Sequence, residues 1–295
     1  MTTDTYATGL HDLSEALADL VAGVAPSVVS LATGSVRASG FVWREGLVVT
    51  AEEALSDQDT ITVTVAGGAT TEATLVGRDP STDVALLRLK DPHSPAMSLS
   101  GAVPRVGSLA IAVGALEGAP TAALGVVSRA EGPWRSLRGG EIDARIVFDV
   151  RLPTSGEGGL AFDAEGKVIG MTVFGPRRRV LAIPLTTIER VASRLESHGH
   201  IARGYLGVGL YPVAVEGSEQ WGAMVMNVDP KGPSVNAGLR QGDVIVSWNR
   251  EPLRHIRSLL RSLGPDSVGQ TVTLGVRRGG DSTEIQVAVA ERPAA

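Results

Sequence analysis

The 295-residue chain has no cysteine. Disulfide staples, thiol catalysis and cysteine-ligated zinc are therefore excluded. It also lacks a basic excess: 27 Lys and Arg stand against 32 Asp and Glu, a net charge of −5. A nucleic-acid binder needs a basic face, so nucleic acid is not an expected partner. No stretch approaches the roughly 20 apolar residues that cross a bilayer as a helix, so no transmembrane segment is expected. The opening residues Met1-Thr2-Thr3-Asp4-Thr5-Tyr6 hold neither a cationic stretch nor an apolar run, and no secretory leader is visible. The default expectation is a cytoplasmic protein, periplasmic only if a leader has been trimmed away.

What is present is ample apolar material, 43% of residues, beside 20% charged ones. The length suits two or three domains of about 100–200 residues each. Residues 10–24 set Leu10, Leu13, Leu17, Leu20, Val21 and Val24 on one helical face. That face packs on its own domain or on a neighbouring subunit. Short strands alternating with turns follow over 28–32, 40–50, 60–65, 70–76 and 84–89. A second set covers 109–113, 122–129, 142–150, 160–162, 168–173 and 180–183. Two such groups, with no helices between them, predict a mainly β protein with two small antiparallel barrels rather than a parallel sheet. Residues 185–195 read as a closing helix. Ser197-His198-Gly199-His200 reads as a linker; His198 and His200 have a metal-ligating spacing but no further ligands nearby, and neither metal nor cofactor is expected.

One stretch organises the rest. Leu152-Pro153-Thr154-Ser155-Gly156-Glu157-Gly158-Gly159-Leu160 is a Gly-rich loop running into a strand, and Asp163-Ala164-Glu165-Gly166 turns into a second strand. The loop resembles the nucleophile loop of the HtrA/Deg trypsin-like serine proteases, Gly-Asn-Ser-Gly-Gly-Pro-Leu. Other segments share the resemblance: Ser39-Gly40-Phe41, Leu47-Val48-Val49-Thr50, the aspartate segment Gly77-Arg78-Asp79-Pro80-Ser81-Thr82-Asp83-Val84-Ala85, and Leu124-Gly125-Val126-Val127-Ser128. It implies a chymotrypsin-like double β-barrel. The expected domains are an N-terminal helical segment (1–24), the protease-like barrels (25–196), a linker (197–203) and a last domain (204–293).

A serine protease needs a hydroxyl, an imidazole and an orienting carboxylate. In the frame of the resemblance Asp83 keeps the orienting position. Glu53 stands where His is expected and Glu157 where Ser is expected. The five histidines, at 11, 93, 198, 200 and 255, lie outside the strand ends that carry such a site. Ser155 would need a different loop conformation and still lacks an imidazole. Loss of single triad members costs roughly four to six orders of magnitude in turnover. The departures Ser155, Gly156 and Leu160 from the family pattern also put the oxyanion hole in doubt. Three carboxylates in one cleft call for a bound proton, a hard cation or an arginine. The expected solution is an arginine from Arg151, Arg177, Arg178 or Arg179 paired with Glu157 or Glu53.

The last domain resembles a PDZ module. Its signature is Tyr205-Leu206-Gly207-Val208, then Pro230-Lys231-Gly232-Pro233-Ser234 and Ala237-Gly238-Leu239-Arg240-Gln241-Gly242-Asp243-Val244-Ile245. The resemblance implies strand addition and capture of a C-terminal carboxylate by the loop 205–208. A helix over 254–263 would close the groove with Ile256 and Leu260, while at least two of Ile256, Leu259, Leu260 and Leu263 face the core. The expectation is an inactive protease homologue that binds C-terminal or unfolded peptides as a scaffold or regulator in protein quality control, as a homotrimer or mixed with an active paralogue. The alternative is an active HtrA-type serine endopeptidase with displaced catalytic groups.

Overall fold

The structure is a computed structural model describing residues 3–56, 60–92, 94–215 and 221–293. The chain divides into two compact units, Met1–His200 and Ile201–Ala295. The first opens with α1 (Thr3–Val24). Its apolar stripe is covered only from Leu17 onward; Leu10 is 70% and Leu13 45% exposed.

Six strands then close a first barrel: β1 (Val28–Thr33), β2 (Val36–Arg44), β3 (Leu47–Thr50), β4 (Thr60–Thr64), β5 (Thr70–Asp79) and β6 (Val84–Leu89), in the order β1-β2-β3-β6-β5-β4. The single strand expected over 40–50 is a hairpin instead. Gly46 at φ 70° lets the chain reverse at Glu45-Gly46, and Val42 pairs with Val48. β6 is buried at every position but Arg88. The barrel interior covers one of its faces and α2 (Leu185–His198) packs against the strand. Such two-sided burial explains a nearly unbroken apolar run. α2 buries Ile188, Val191, Ala192 and Leu195, one stripe at helical spacing.

The second barrel contains β7 (Leu109–Leu116), β8 (Ala119–Glu131), β11 (Arg145–Asp149), β12 (Leu160–Phe162), β13 (Val168–Phe174) and β14 (Val180–Pro184), in the order β11-β14-β13-β12-β7-β8. The strand expected over 142–150 is shorter. Its first residue belongs to a separate hairpin, β9 (Trp134–Arg135) with β10 (Glu141–Ile142), which the apolar pattern left unmarked.

The second unit holds a six-stranded sheet of β16 (Val208–Ala214), β17 (Trp221–Val228), β18 (Val244–Trp248), β19 (Glu251–Pro252), β20 (Thr271–Arg278) and β21 (Asp281–Ala288), beside a separate pair, β15 (Gly204–Tyr205) with β22 (Ala290–Glu291). The main path is β16-β17-β18-β20-β21, so β16 is an outermost strand. The short helices are α3 (Pro233–Asn236) and α4 (Ile256–Ser262). Leu206, Val225, Ile245, Leu259, Leu274 and Val287 lie in one apolar core. Asp243, 1% exposed, accepts from Nε and an Nη of Arg278 at 2.7 and 2.8 Å and from the Arg240 N–H at 2.8 Å. These bonds hold its carboxyl below the usual range against the opposing effect of burial.

Candidate functional site

Two turns from the first barrel and one loop from the second build the cleft. The first turn leaves β5. Asp79 accepts from the Ser81 N–H and hydroxyl at 3.1 and 2.6 Å and from the Thr82 hydroxyl at 2.7 Å. Its last residue is Asp83, at φ 59°, a costly setting for a non-glycine residue that the locked turn enforces. The second turn leaves β3, and the Glu53 N–H donates to Asp83 Oδ1 at 2.8 Å.

The third part is the Gly-rich loop. Its carbonyls and amides are fastened to both barrels: Ser39 N–H to the Glu157 carbonyl at 2.8 Å, Ser39 Oγ to the Ser155 carbonyl at 2.5 Å, and Thr172 Oγ1 to the Gly156 carbonyl at 2.8 Å. Gly158 has φ 82°, and a Cβ there would meet the Ser39 carbonyl at 2.3 Å and Thr50 Oγ1 at 2.5 Å. Glycine is required on both counts. Gly158→Ala should lower the melting temperature of the first unit by roughly 10 °C, from a loss of about 3 kcal/mol. Thermal denaturation followed by circular dichroism measures it, and a shift within error would show that the loop gives way cheaply.

Asp83, Glu53 and Glu157 do converge. The Asp83 carboxyl is pushed up to about 7, chiefly by burial. The Glu53 N–H opposes this, and the charges of Glu53, Glu157 and Glu52 add to it. Glu157 is also raised, mainly by burial, against a 3.3 Å bond from the Phe174 N–H. In trypsin-like enzymes the N–H of the nucleophile residue helps form the oxyanion hole. Here the Glu157 N–H donates to the Thr154 carbonyl at 3.2 Å, closing the short helical turn Thr154–Gly156.

Of the expected arginines, Arg178 acts on Glu157 through its charge, lowering its carboxyl against the effect of burial, but the arginine in direct contact with a cleft carboxylate is a different one. Among the described residues Arg151, Arg177, Arg178 and Arg179 form no ion pair with Glu53 or Glu157. Arg138, in the β9–β10 turn, lies 3.3 Å from Glu53 and 3.6 Å from Glu52, and it donates to the Pro80 carbonyl at 3.2 Å. Arg78 takes the other oxygen of Glu52 at 3.4 Å. The close approach of Gly140 to the Ser81 carbonyl brings this hairpin onto the aspartate turn. Gly139-Gly140 was the available turn signal in the sequence, but no local pattern relates Arg138 to Glu53.

A cleft of about 670 Å³ runs from Glu53 and Asp83 past Arg138 to Trp134, Arg145 and Phe174. A second, of about 700 Å³, lies behind the Gly-rich loop between Arg151, Thr154 and Arg178. No histidine lines either. His93 lies outside the described residues. His198 meets Ser197 Oγ at 2.6 Å, and His200 Nδ1 lies 3.0 Å from the His198 carbonyl. His255 caps α4 by accepting from the Ser258 N–H at 3.0 Å. Among the described residues no cluster has metal-ligating geometry.

In the second unit Gly207 has φ 72°, and the carbonyls of Leu206 and Gly207 accept from Ser234 and Asp229. Their N–H groups have no acceptor among the described residues. Tyr205 donates to Asp229 Oδ2 at 2.8 Å. Val208 and Ile256 are half-buried against the core, and Leu259 is fully buried. Leu260 is 55% exposed, so it does not pack on the core.

Paired six-stranded barrels with a site at their junction, followed by a sheet with an open outer strand, define a trypsin-like domain with a PDZ domain. Residues 38–171 match the trypsin-like peptidase domain family and 204–289 the PDZ domain family. The chain is 34% identical over 269 residues to a probable periplasmic serine endoprotease DegP-like of Bartonella henselae, covering 86% of this chain and 52% of that protein. It is 34% identical over 274 residues to the protein so named in Brucella suis, covering 87% and 53%. The HtrA-type protease AlgW solved with a decapeptide superposes with a TM-score of 0.72 at 25% identity, covering 95% of this chain and 99% of that one. AlgW with a tripeptide gives 0.68 at 27%, covering 95% and 98%. The chain thus contains a trypsin-like peptidase domain and a PDZ domain and is similar over most of its length to HtrA-type and DegP-like serine proteases. It spans about half the length of the curated relatives it matches.

Those names correct the expected location. The relatives are called periplasmic, which points away from the cytoplasm. Leaders are removed from mature proteins, so the opening residues were weak evidence. Among the described residues no helix is long and apolar enough to cross a membrane.

Proposed function

We propose that this chain is a non-cleaving member of the HtrA/DegP family, a scaffold or regulator that binds polypeptide in the periplasm, alone or assembled with an active paralogue. The observation that carries this reading is the Asp83 carboxylate. In the orienting position it takes a backbone N–H from Glu53, and the groups facing it are the carboxylates of Glu53 and Glu157, not an imidazole and a hydroxyl. The facing groups lack the hydroxyl nucleophile and the imidazole through which serine-type acyl transfer runs.

Peptide binding is assigned to the PDZ domain. Support comes from the open outer strand β16, from the free N–H groups at Leu206 and Gly207, and from the decapeptide carried by the AlgW structure. A fluorescent peptide ending in a free apolar carboxylate should bind at least about tenfold more tightly than its C-terminal amide, since the loop captures the charge. Equal affinities in fluorescence anisotropy would remove the carboxylate loop from the reading.

The relatives' names favour a second reading, an active serine endopeptidase with displaced catalytic groups. Ser155 is its available hydroxyl, and fluorophosphonate labelling separates the two, because only an activated serine reacts.

A further inference from the structure

The cleft behind the Gly-rich loop has two guanidinium groups from separate segments. Arg151 follows β11, and Arg178 comes from the connection between β13 and β14. Arg177 and Arg178 both sit at positive φ, 60° and 55°, a sparsely populated setting for consecutive non-glycine residues. Arg178 lies over the Phe174 ring, 4.3 Å from its centroid, and donates to Thr154 Oγ1 at 3.3 Å. Neither arginine has a carboxylate within ion-pair distance among the described residues, although the charge of Arg178 reaches Glu157. Asp149, which also lines the cleft, pairs with neither, and the Glu157 carboxylate is held by the Phe174 N–H.

We propose that the cleft between Arg151 and Arg178 receives an acidic side chain, Asp or Glu, of a bound polypeptide. This rests on the polypeptide-binding reading above and gives the ligand its chemistry. The volume, about 700 Å³, admits a carboxylate side chain with its flanking backbone. A guanidinium presents a planar fork that fits a carboxylate in two parallel hydrogen bonds. Arg178 is already oriented by its stacking on Phe174 and its bond to Thr154, so less side-chain freedom is lost on binding. Leu152 and Val180, in the same lining, exclude water from one side.

The test uses fluorescein-labelled Ala-Ala-Ala-X-Ala-Ala-Ala peptides with X as Glu, Gln or Lys, all C-terminally amidated to silence the PDZ loop. Anisotropy on the full chain should show the Glu peptide binding about tenfold more tightly than the Gln peptide, and the Lys peptide weakest. Raising the salt should narrow the gap. The double substitution Arg151→Ala with Arg178→Ala should abolish the preference, and Arg178→Lys should recover only part of it. Equal binding of the Glu and Gln peptides, or a preference that survives the double substitution, overturns the proposal. So does competition by glutarate as effective as by the peptide, which would mark a simple anion site. Mass spectrometry of the same samples tests the non-cleaving reading separately. Cut peptides sink that reading, while a Glu preference in the cutting rate would leave the pocket assignment standing.

Discussion

Casein incubated with the purified chain should stay uncut, and Ser155→Ala should leave that result unchanged. A triad accelerates acyl transfer by moving one proton twice, from hydroxyl to imidazole and from imidazole to the leaving amine. In this cleft the charges that act on Asp83 are those of Glu53, Glu157 and Glu52, and the proposed function sets Glu157 at the loop position of the nucleophile. A carboxylate attacking an amide would form a reactive anhydride and expel a poor leaving group. Removal of triad members costs roughly four to six orders of magnitude in turnover, below what a casein assay detects. The double substitution Glu53→His with Glu157→Ser should restore measurable but weak cleavage. It returns the missing groups to a frame that still holds Asp83, while the N–H of residue 157 must first leave the Thr154 carbonyl. Robust cleavage by the unaltered chain, abolished by Ser155→Ala, would transfer the nucleophile to Ser155 and sink the proposed function.

Asp83→Asn should stabilise the first unit at pH 8 and flatten its pH dependence between about pH 4 and 7. The Asp83 carboxyl rises from 3.8 to about 7 because it is buried among Glu53, Glu157 and Glu52, with Arg138 and Arg78 paired to Glu53 and Glu52 and Arg178 reaching Glu157 only through its charge. A raised folded-state value means that the folded chain holds a proton the unfolded chain has lost. Stability therefore falls as the pH climbs from the unfolded to the folded value, and levels off above about 7. Three units correspond to on the order of 4 kcal/mol. The raised Glu157 works in the same direction. Asparagine removes the charge and keeps an oxygen for the Glu53 N–H. Urea denaturation at pH 5 and pH 8 measures the effect. A destabilised Asp83→Asn at pH 8, or a parent more stable at pH 8 than at pH 5 with the difference abolished by the substitution, would mean that the carboxylate is compensated and its ionised form favoured.

Much of this architecture is legible in the sequence because it rests on local periodicity. Alternation and turn residues mark the strands of both barrels, and the stripe Ile188, Val191, Ala192 and Leu195 marks the closing helix. The pattern blurs where a turn is short: Glu45-Gly46 interrupts a run of apolar residues too briefly to separate β2 from β3. It is silent on the β9–β10 hairpin, whose strands are two residues each. Leu260 illustrates the same limit on a helix. Neighbouring leucines at 259 and 260 read alike, yet one is buried and the other exposed, since consecutive helical side chains point in different directions.

The identities at 53, 83 and 157 belong to the sequence alone. No folding can supply an imidazole or a hydroxyl to positions that hold glutamate. Folding decided the charge balance around them. The partner of Glu53 is Arg138, brought over by a hairpin that docks near Ser81, while the arginines nearer the Gly-rich loop line a different cleft. Ion pairing falls off with distance in space, and distance in space between remote segments is set by how the barrels close.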